Sequence, residues 1–436
     1  MMRLALAFAL ALGAALPARA AVDVQEVTSP DGIDAWLVED HTIPFTALEI
    51  RFRGGTALDR PGKGGAVNLM TALIEEGAAD RDAQAFALAR EELAASYSFD
   101  ANDDAISVSA RFLTENRDAA VNLLRDALVE PRFDQDAVDR VRDQVLSIIA
   151  SDLNDPGAIA SRAFMDEAFP DHPYSAPNNG TAESVTDLTR EDIVEAHRDT
   201  FVTDRVYVGA VGDITPEALG ELLDDLLGDL PRTGGDLPGE AVYSAEPGVD
   251  IIEFDTPQSM ILFGHKGIAR DDPDFMAAYI LNEMFGGGGF NSRLMEEVRV
   301  ERGLTYGIGT WLQPMENGAL LMGQAASANA STAETVEVVS DEWARVAEGV
   351  SEEELAEIKT YLTGAYPLRF DGNSTIASIL VGMQMDDLGI DYIETRNDQI
   401  EAVTLDDIAR VAERIYRPDD LSFTIVGQPD GIEATN

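Results

Sequence analysis

An internal repeat is the feature that most limits how this chain can fold. Residues 188–193 (LTREDI) match residues 403–408 (VTLDDI), and residues 208–212 (VGAVG) match residues 423–427 (FTIVG). The offset is the same 215 residues from Leu188 to Val403 and from Gly212 to Gly427. Two unrelated segments that each end in a capped helix and a strand would not keep a constant offset across the whole unit. The repeat therefore predicts two copies of one fold in tandem.

The stretch between the two copies predicts a linker. Residues 231–248 are rich in proline, glycine and acidic side chains and show no hydrophobic periodicity, which is typical of a connection between domains. A chain of 436 residues is also long enough for more than one core. We therefore expect an N-terminal domain at 21–230, a linker at 231–248 and a C-terminal domain at 249–430.

The first twenty residues predict a cleaved signal peptide. Arg3 precedes an apolar run at 4–16 that is too short to span a bilayer comfortably, and Ala18-Arg19-Ala20 forms a small-x-small cleavage site. No later stretch has the pattern of a membrane helix. We therefore expect a signal peptide at 1–20 and a mature chain, starting near Ala21, that is periplasmic or secreted.

Acidic residues outnumber basic ones along the whole chain. Asp and Glu total 80 against 31 Lys and Arg, so the formal net charge is -49, which disfavours nucleic acids and anionic membrane surfaces as partners. A surface suited to saline surroundings and a cationic substrate both remain open as explanations. The chain has no cysteine, which excludes disulfides, thiolate catalysis and cysteine-ligated metals.

A glycine-rich stretch at 285–311 lies in the second copy. Four successive glycines allow close backbone approach, a helix is predicted over 291–302 with Gly303 as its cap, and a strand begins near Leu304. Arg302 and Tyr306 flank this junction, which could form an edge that holds a peptide. Alternatively, Tyr306 is a core tyrosine on the same strand face as Ile308, and Arg302 is a surface charge at a helix end. The stretch alone favours the second interpretation.

Short motifs lie at 53–55, 64–77, 155–156, 172–174, 208–214, 286–294 and 302–306. Their order and spacing resemble those of the peptidase M16 family (pitrilysin-like, with the mitochondrial processing peptidases), and the resemblance covers nearly the whole mature chain. The resemblance implies an α+β fold of two tandem homologous αβ domains, the LuxS/MPP-like M16 metallopeptidase fold. In that fold an antiparallel or mixed sheet carries helices packed on one side.

Active members of the family carry an inverted zinc motif, His-x-x-Glu-His, on the helix predicted here over 65–76. Histidines four residues apart lie on one helix face and bind Zn²⁺, while the glutamate activates the metal-bound water. The resemblance places Asn68, Thr71 and Ala72 at these positions and Ile148 at the third ligand, a glutamate on a later helix. We therefore expect no metal and no cofactor on this chain. The four histidines, His41, His172, His197 and His265, have no ligand spacing, and we expect each to have a local role.

The resemblance also implies a function, because in the family the glycine loop and an Arg/Tyr pair of the second half hold substrate opposite the metal. We expect a non-catalytic, zinc-less subunit of a heterodimeric M16 zinc endopeptidase, which would need a partner with an intact His-x-x-Glu-His motif that holds the zinc. The alternative is an M16-fold scaffold or peptide-binding protein with no role in proteolysis. A self-sufficient hydrolase has no support beyond the many acidic residues. The predicted peptide-binding residues are Gly286, Gly287, Gly288, Gly289, Arg302 and Tyr306.

Overall fold

A computed structural model describes residues 23–346 and 348–436. The predicted signal peptide at 1–20 lies outside the described residues. No helix in the described part of the chain is both long and apolar enough to cross a membrane.

The N-terminal half is built around a six-stranded sheet. Its strands are β1 (Gln25–Thr28), β2 (Asp34–Glu39), β3 (Phe45–Arg53), β6 (Ser96–Ala101), β7 (Ala105–Leu113) and β8 (Val206–Gly212), and a small hairpin comprises β4 (Gly77–Ala78) and β5 (Arg81–Asp82). The order in the sheet is β1-β2-β8-β3-β7-β6. β2 and β8 run parallel while the other neighbours are antiparallel, so the sheet is mixed. The helices of this half are α1 (Ala66–Leu73), α2 (Ala83–Glu92), α3 (Arg117–Val129), α4 (Gln135–Asp152), α5 (Pro156–Ala168), α6 (Ala182–Asp187), α7 (Arg190–Thr200) and α8 (Pro216–Leu227).

The C-terminal half repeats this plan with five strands. They are β9 (Gly248–Glu253), β10 (Gln258–Lys266), β11 (Thr305–Pro314), β12 (Ala319–Ala328) and β13 (Ser422–Gly427). Their order is β11-β12-β10-β13-β9, with only β13 and β9 parallel. The helices are α9 (Phe275–Asn282), α10 (Thr332–Val346), α11 (Glu352–Ala365), α12 (Asn373–Met385), α13 (Tyr392–Ala402) and α14 (Leu405–Ile415). Residues 228–247, all of them described, contain no helix or strand.

The sequence repeat corresponds to the same structural unit in both halves. α7 begins with a capping box in which the Thr189 hydroxyl accepts a hydrogen bond from the Asp192 backbone N–H and the Asp192 carboxylate accepts one from the Thr189 backbone N–H. Thr404 and Asp407 form the same capping box at the start of α14. Each helix leads into an inner strand, β8 or β13, whose residues are largely buried. Reciprocal caps satisfy backbone donors that the first helical turn leaves free, which explains why both copies keep Thr-x-x-Asp.

Each sheet carries its own helices on one face and a helix from the other half on the opposite face. In β8, Val208 and Ala210 pack into the core of the N-terminal half, whereas Val211 packs on α12 of the C-terminal half. In β13, Ile425 faces its own helices, whereas Val426 joins a cluster with α5 of the N-terminal half. The exchange follows from the two-residue period of strands, which points neighbouring side chains to opposite faces.

The exchanged helices contribute substantial buried apolar area to the junction of the two halves. Phe164 of α5 is 1% exposed and packs with Leu262 and Met322 of the C-terminal sheet. Burial of a side chain of this size contributes about 2–3 kcal/mol. Gly209 lets α12 approach β8 closely, because a Cβ there would lie 2.6 Å from the backbone oxygen of Ala377.

Polar contacts also join the two halves. Arg53 forms a 2.9 Å ion pair with Glu316 and donates a 2.9 Å hydrogen bond to the backbone oxygen of Met385. The Tyr174 hydroxyl donates to Asp104 and accepts a 3.0 Å hydrogen bond from the backbone N–H of Asn317. Residues of the two halves therefore share one hydrogen-bonded network beside the predicted linker.

Two local segments differ from what sequence periodicity predicts. The alternation over 98–112 predicts one strand, but the segment is a hairpin of β6 and β7. Residues 102–104 turn the chain, and Asn102 accepts hydrogen bonds from the backbone N–H groups of Asp104 and Ala105. The helix predicted over 291–302 has wide, π-type turns over Met295–Glu301. Its apolar side chains Met295 and Val298 are nevertheless buried as the spacing predicts.

Candidate functional site

The helix at the family's zinc position is well formed but carries side chains with other roles. The Asp59 carboxylate accepts hydrogen bonds from the backbone N–H groups of Gly65 at 2.6 Å and Val67 at 2.8 Å, which fixes the start of α1. Asn68 donates a 2.9 Å hydrogen bond to the side chain of Asn179. Thr71 is buried and donates to the backbone oxygen of Val67 at 2.8 Å.

The remaining two positions of the zinc motif are apolar. Ala72 on α1 is exposed, and Ile148 on α4 is 48% exposed. An alanine and an isoleucine have no lone pair to offer a metal. Among the described residues, no group of three or more His, Asp or Glu side chains is placed to hold a metal ion.

Each of the four histidines has local partners in the described structure. His41 contacts Asp213 at 2.7 Å, and this carboxylate raises the pKa of the imidazole. His172 organises its loop through Gly239, at 3.1 Å, and through the backbone N–H of Tyr174. His197 contacts the backbone oxygen of Leu128 at 2.8 Å.

His265 is fully buried in the C-terminal half. Its Nε2 accepts a 3.1 Å hydrogen bond from the Trp343 indole, and its Nδ1 lies 2.9 Å from the backbone oxygen of Lys266. These partners suit a neutral ring, with the proton on Nδ1, and burial lowers the pKa of the imidazole. This histidine therefore serves the core, which agrees with the local role expected from the sequence.

The glycine loop follows directly from α9 through a wide turn, Glu283–Gly287. Gly286 packs on β11, where a Cβ would lie 2.3 Å from the Thr310 hydroxyl oxygen. Gly289 adopts a positive φ of 65°, a conformation that glycine adopts at little cost. A Cβ would also lie 2.7 Å from Asn282 Nδ2 at Gly287 and 2.5 Å from the Glu283 backbone oxygen at Gly288. The first three glycines therefore allow close packing, and Gly289 provides the backbone angle.

A buried pair that sequence reasoning missed ties this loop to the strand. The Thr310 hydroxyl donates a 2.8 Å hydrogen bond to Asn282 Oδ1, and Asn282 Nδ2 donates to the backbone oxygen of Thr310 at 3.4 Å. Asn282 is 3% exposed and Thr310 is 4% exposed. A polar residue at the end of an apolar helix was the available signal, since buried amides are usually hydrogen-bonded.

Arg302 and Tyr306 stand on the surface at the start of β11. The Arg302 guanidinium donates to both the backbone oxygen and the carboxylate of Glu297, at 2.7 Å and 2.5 Å. The Tyr306 side chain is 86% exposed, with the Arg299 guanidinium 5.1 Å from its ring centre. Tyr306 and Arg302 thus lie on the same exposed end of this edge strand.

The interpretation of Tyr306 as a core tyrosine is wrong. Leu304 and Ile308 are only 8% and 7% exposed, although simple alternation puts Tyr306 on their face. The pairing of β11 with β12 shifts register between Thr305 and Ile308, which is a β-bulge. A bulge re-aims side chains and bends the strand, so Tyr306 projects outward where a regular strand would have buried it.

Two family models match the chain. The model described as Insulinase (Peptidase family M16) matches residues 35–181, and the model described as Peptidase M16 inactive domain matches residues 187–362. Together these stretches form most of the chain, and each falls mainly within one of the two halves described above.

Curated relatives carry two kinds of name. The non-peptidase homologue YmxG of Helicobacter pylori is 25% identical over 393 residues, which cover 89% of this chain and 90% of the relative. An uncharacterised zinc protease of Mycobacterium tuberculosis is 28% identical over 311 residues, which cover 70% of this chain and 71% of the relative.

Solved structures share the fold over nearly the whole chain. The crystal structure of a peptidase M16 inactive domain from Pseudomonas fluorescens aligns with a TM-score of 0.87 and 27% identity, covering 94% of this chain and 99% of that one. A protease from Helicobacter pylori aligns with a TM-score of 0.83 and 17% identity, covering 93% and 99%, and at that identity the likeness concerns the fold alone. The chain therefore belongs to the peptidase M16 family and has the tandem two-domain α+β fold of that family.

Proposed function

We propose that this chain is the zinc-less subunit of a heterodimeric M16 endopeptidase and that its glycine loop and β11 hold peptide for a partner's metal site. One observation carries the proposal. The large aromatic side chain of Tyr306 is displayed on the glycine-rich edge strand. The resemblance places Asn68 and Ala72 at the two histidine positions, Thr71 at the glutamate position and Ile148 at the third ligand. The chain thus keeps a surface suited to peptide without the groups that would hydrolyse it.

The chemistry of β11 suits an extended peptide. β11 is the edge strand of its sheet and pairs only with β12 among the described strands. An edge strand offers unpaired backbone donors and acceptors to which a peptide can add as a further strand. A Cβ at Gly307 would meet nothing within 4 Å, so the backbone beside Tyr306 is open to a ligand.

The names of relatives support a non-catalytic role for this chain. The Helicobacter pylori relative is called a non-peptidase homologue, and both the Pseudomonas fluorescens structure and the C-terminal family model are described as an inactive domain. The relatives called zinc proteases would need the metal motif, which is replaced here. In this proposal any zinc belongs to the partner, and residues 21–230 and 249–430 are the two domains of a periplasmic or secreted subunit.

A scaffold function is the second candidate, and the position of Arg302 favours it. The Arg302 guanidinium is engaged by Glu297 on its own helix, so it serves the fold without any ligand. In an M16-fold scaffold that takes no part in proteolysis, this structural contact with Glu297 would be the whole role of Arg302. The two candidates differ in whether Tyr306 and the glycine loop affect the activity of a reconstituted pair.

The test is reconstitution of the purified chain with an M16 chain that has an intact His-x-x-Glu-His motif. We expect peptide hydrolysis only in the mixture. We expect one equivalent of zinc on the partner, whether alone or mixed, and none on this chain. Stoichiometric zinc on this chain alone, or full hydrolysis by either chain alone, would contradict the proposal. Complex formation with no gain in hydrolysis over the partner alone would favour the scaffold.

A further inference from the structure

Two cavities in the C-terminal half meet around three arginines. One lobe, of about 400 Å³, lies between α9 and the far end of β11. The other, of about 600 Å³, lies between the short 3-10 turn Tyr366–Arg369 and α12. Both lobes are lined by Arg270, Arg369 and Arg396. We call the two lobes with these three side chains the arginine groove.

Arg396 is a buried cation without a carboxylate partner among the described residues. It is 5% exposed, and its Nη1 contacts only neutral acceptors, Asn397 Oδ1 at 3.3 Å and the backbone oxygen of Leu362 at 3.5 Å. Its guanidinium carbon lies 4.3 Å from the ring centre of Tyr366 and 5.6 Å from that of Tyr279. Stacking on rings orients the guanidinium but does not neutralise it.

Arg369, at the exposed side of the groove, also forms no ion pair within the described part of the chain. Other arginines of this protein, which has 80 acidic and 31 basic residues, do form ion pairs. Arg414, for example, contacts both Asp272 and Asp274. Two neighbouring arginines without carboxylates in so acidic a chain indicate a site that is short of an anion.

The acidic side chains of the groove do not fill that need. Asp386 is already committed to Arg270, whose Nε lies 3.3 Å from its carboxylate. The Glu283 carboxylate is near enough to Arg369 and Arg396 for both to oppose the rise that burial causes in its pKa, but among the described residues it forms no ion pair with either. Asp371 is on the exposed rim.

Several other lining side chains are apolar, and the lining includes residues of the glycine loop and of β11. Phe275, Trp311 and Leu312 line the smaller lobe, and Leu368, which is 78% exposed, stands at the mouth of the larger one. Gly287 of the glycine loop also lines the smaller lobe. A ligand with a negative group beside an apolar group would satisfy both the free arginines and these walls.

We propose that the arginine groove binds a carboxylate of the peptide, from an Asp or Glu side chain or from the C-terminus, next to an apolar side chain. That the ligand is a peptide rests on the proposed function. The groove would then select among peptides, because β11 offers backbone pairing to any sequence whereas a guanidinium discriminates for a carboxylate.

The test measures binding of a fluorescent, apolar eight-residue peptide with one Glu and a free C-terminus to the purified full chain. Three further peptides carry Gln for Glu, a C-terminal amide, or both. We expect the doubly neutral peptide to bind roughly tenfold to a hundredfold more weakly, since a charge-assisted hydrogen bond is lost. Weaker binding of only the Gln peptide or only the amide identifies which carboxylate is bound.

Arg369→Gln is the main variant, because the side chain is exposed and its loss leaves no buried gap. This variant should bind the charged peptide as weakly as the wild type binds the doubly neutral peptide. Its affinity should then be the same for all four peptides. Arg232→Gln, at an exposed arginine of the predicted linker, is the matched control and should bind the peptides like the wild type. Equal affinity of the wild type for charged and neutral peptides would overturn the inference, as would an equal loss in Arg232→Gln.

The same assay with Tyr306→Ala separates this inference from the proposed function. If Tyr306→Ala binds the charged peptide normally while Arg369→Gln does not, the result supports the arginine groove and contradicts a role of Tyr306 in binding peptide. If only Tyr306→Ala weakens binding, the edge stands and the groove is overturned. Absence of binding by all four peptides would overturn both.

Discussion

Single residues at the predicted zinc and peptide positions differ in what they contribute to the fold. Ala72 and Ile148 cannot bind zinc, and the buried Thr71 donates to its own helix. In the C-terminal half, Tyr306 contributes little buried area to the fold, because its side chain is 86% exposed. A side chain that contributes so little to packing can be removed to test function without testing folding.

Tyr306→Ala should leave the free energy of unfolding within about 0.5 kcal/mol of wild type, because surface substitutions rarely cost more. If the edge holds peptide, the same variant should lower hydrolysis by the reconstituted pair by about tenfold or more, the loss of one good contact. Urea denaturation and peptide hydrolysis measure the two effects. Tyr361→Ala, at a tyrosine that is 60% exposed on α11, is the control. An equal loss of hydrolysis in both variants would argue against a specific role for Tyr306.

Asp59 makes stability depend on pH near neutrality. Burial raises the pKa of this carboxyl to about 6, although backbone N–H groups of α1 oppose the shift. Between its unfolded pKa of about 4 and this value, the folded chain holds a proton that the unfolded chain has lost, so stability falls as pH rises. Protonation of Asp59 should therefore add about 1 kcal/mol to the free energy of unfolding between pH 7 and pH 5.

Comparison with Asp59→Asn in urea at both pH values isolates this effect. On going from pH 7 to pH 5, the free energy of unfolding of the wild type should rise by about 1 kcal/mol more than that of the variant. Asp171→Asn, at an exposed aspartate, should follow the wild type. Parallel pH profiles for wild type and Asp59→Asn would show that Asp59 is not the group that titrates.

At the scale of elements, the contact between the glycine loop and β11 is the feature that shapes the candidate site. Gly286→Ala would place a Cβ 2.3 Å from the Thr310 hydroxyl oxygen and should lower the free energy of unfolding by about 1–3 kcal/mol, as overpacking does. Gly364→Ala is the matched control, because a Cβ added at that helical glycine of α11 would meet nothing within 4 Å. It should stabilise by up to about 1 kcal/mol. Chemical denaturation of both variants checks the pair, and an equal effect of the two would contradict the packing argument.

At the scale of the whole molecule, the exchange of α5 and α12 predicts that the two halves unfold together. A helix of each half packs on the sheet of the other half. Unfolding of either half would therefore expose apolar surface on both halves. Trp36 lies in the N-terminal half, and Trp311 and Trp343 lie in the C-terminal half. Variants that keep tryptophan in one half only should therefore show the same urea midpoint by fluorescence. Two separate midpoints would show that the exchanged helices do not couple the halves.

Particular elements show which features of the fold could be predicted from the sequence. The constant offset, the Thr-x-x-Asp caps and the ordered short motifs are local or linear features. They correctly predicted the duplicated α+β fold and membership in the M16 family. The predicted partner, its zinc, the peptide and the location outside the cytoplasm stay predictions.

Only the tertiary structure decided three other features. The outward direction of Tyr306 depends on a bulge in its pairing with β12, which alternation along one strand cannot reveal. The exchange of α5 and α12 depends on the sheet face that each half leaves uncovered by its own helices, and a helix of the other half packs there. The arginine groove brings together Arg270, Arg369 and Arg396 from distant parts of the chain. The physical reason is common to all three: periodicity and caps report interactions between near neighbours, whereas a bulge, a shared core and a site are made by residues that only the fold brings into contact.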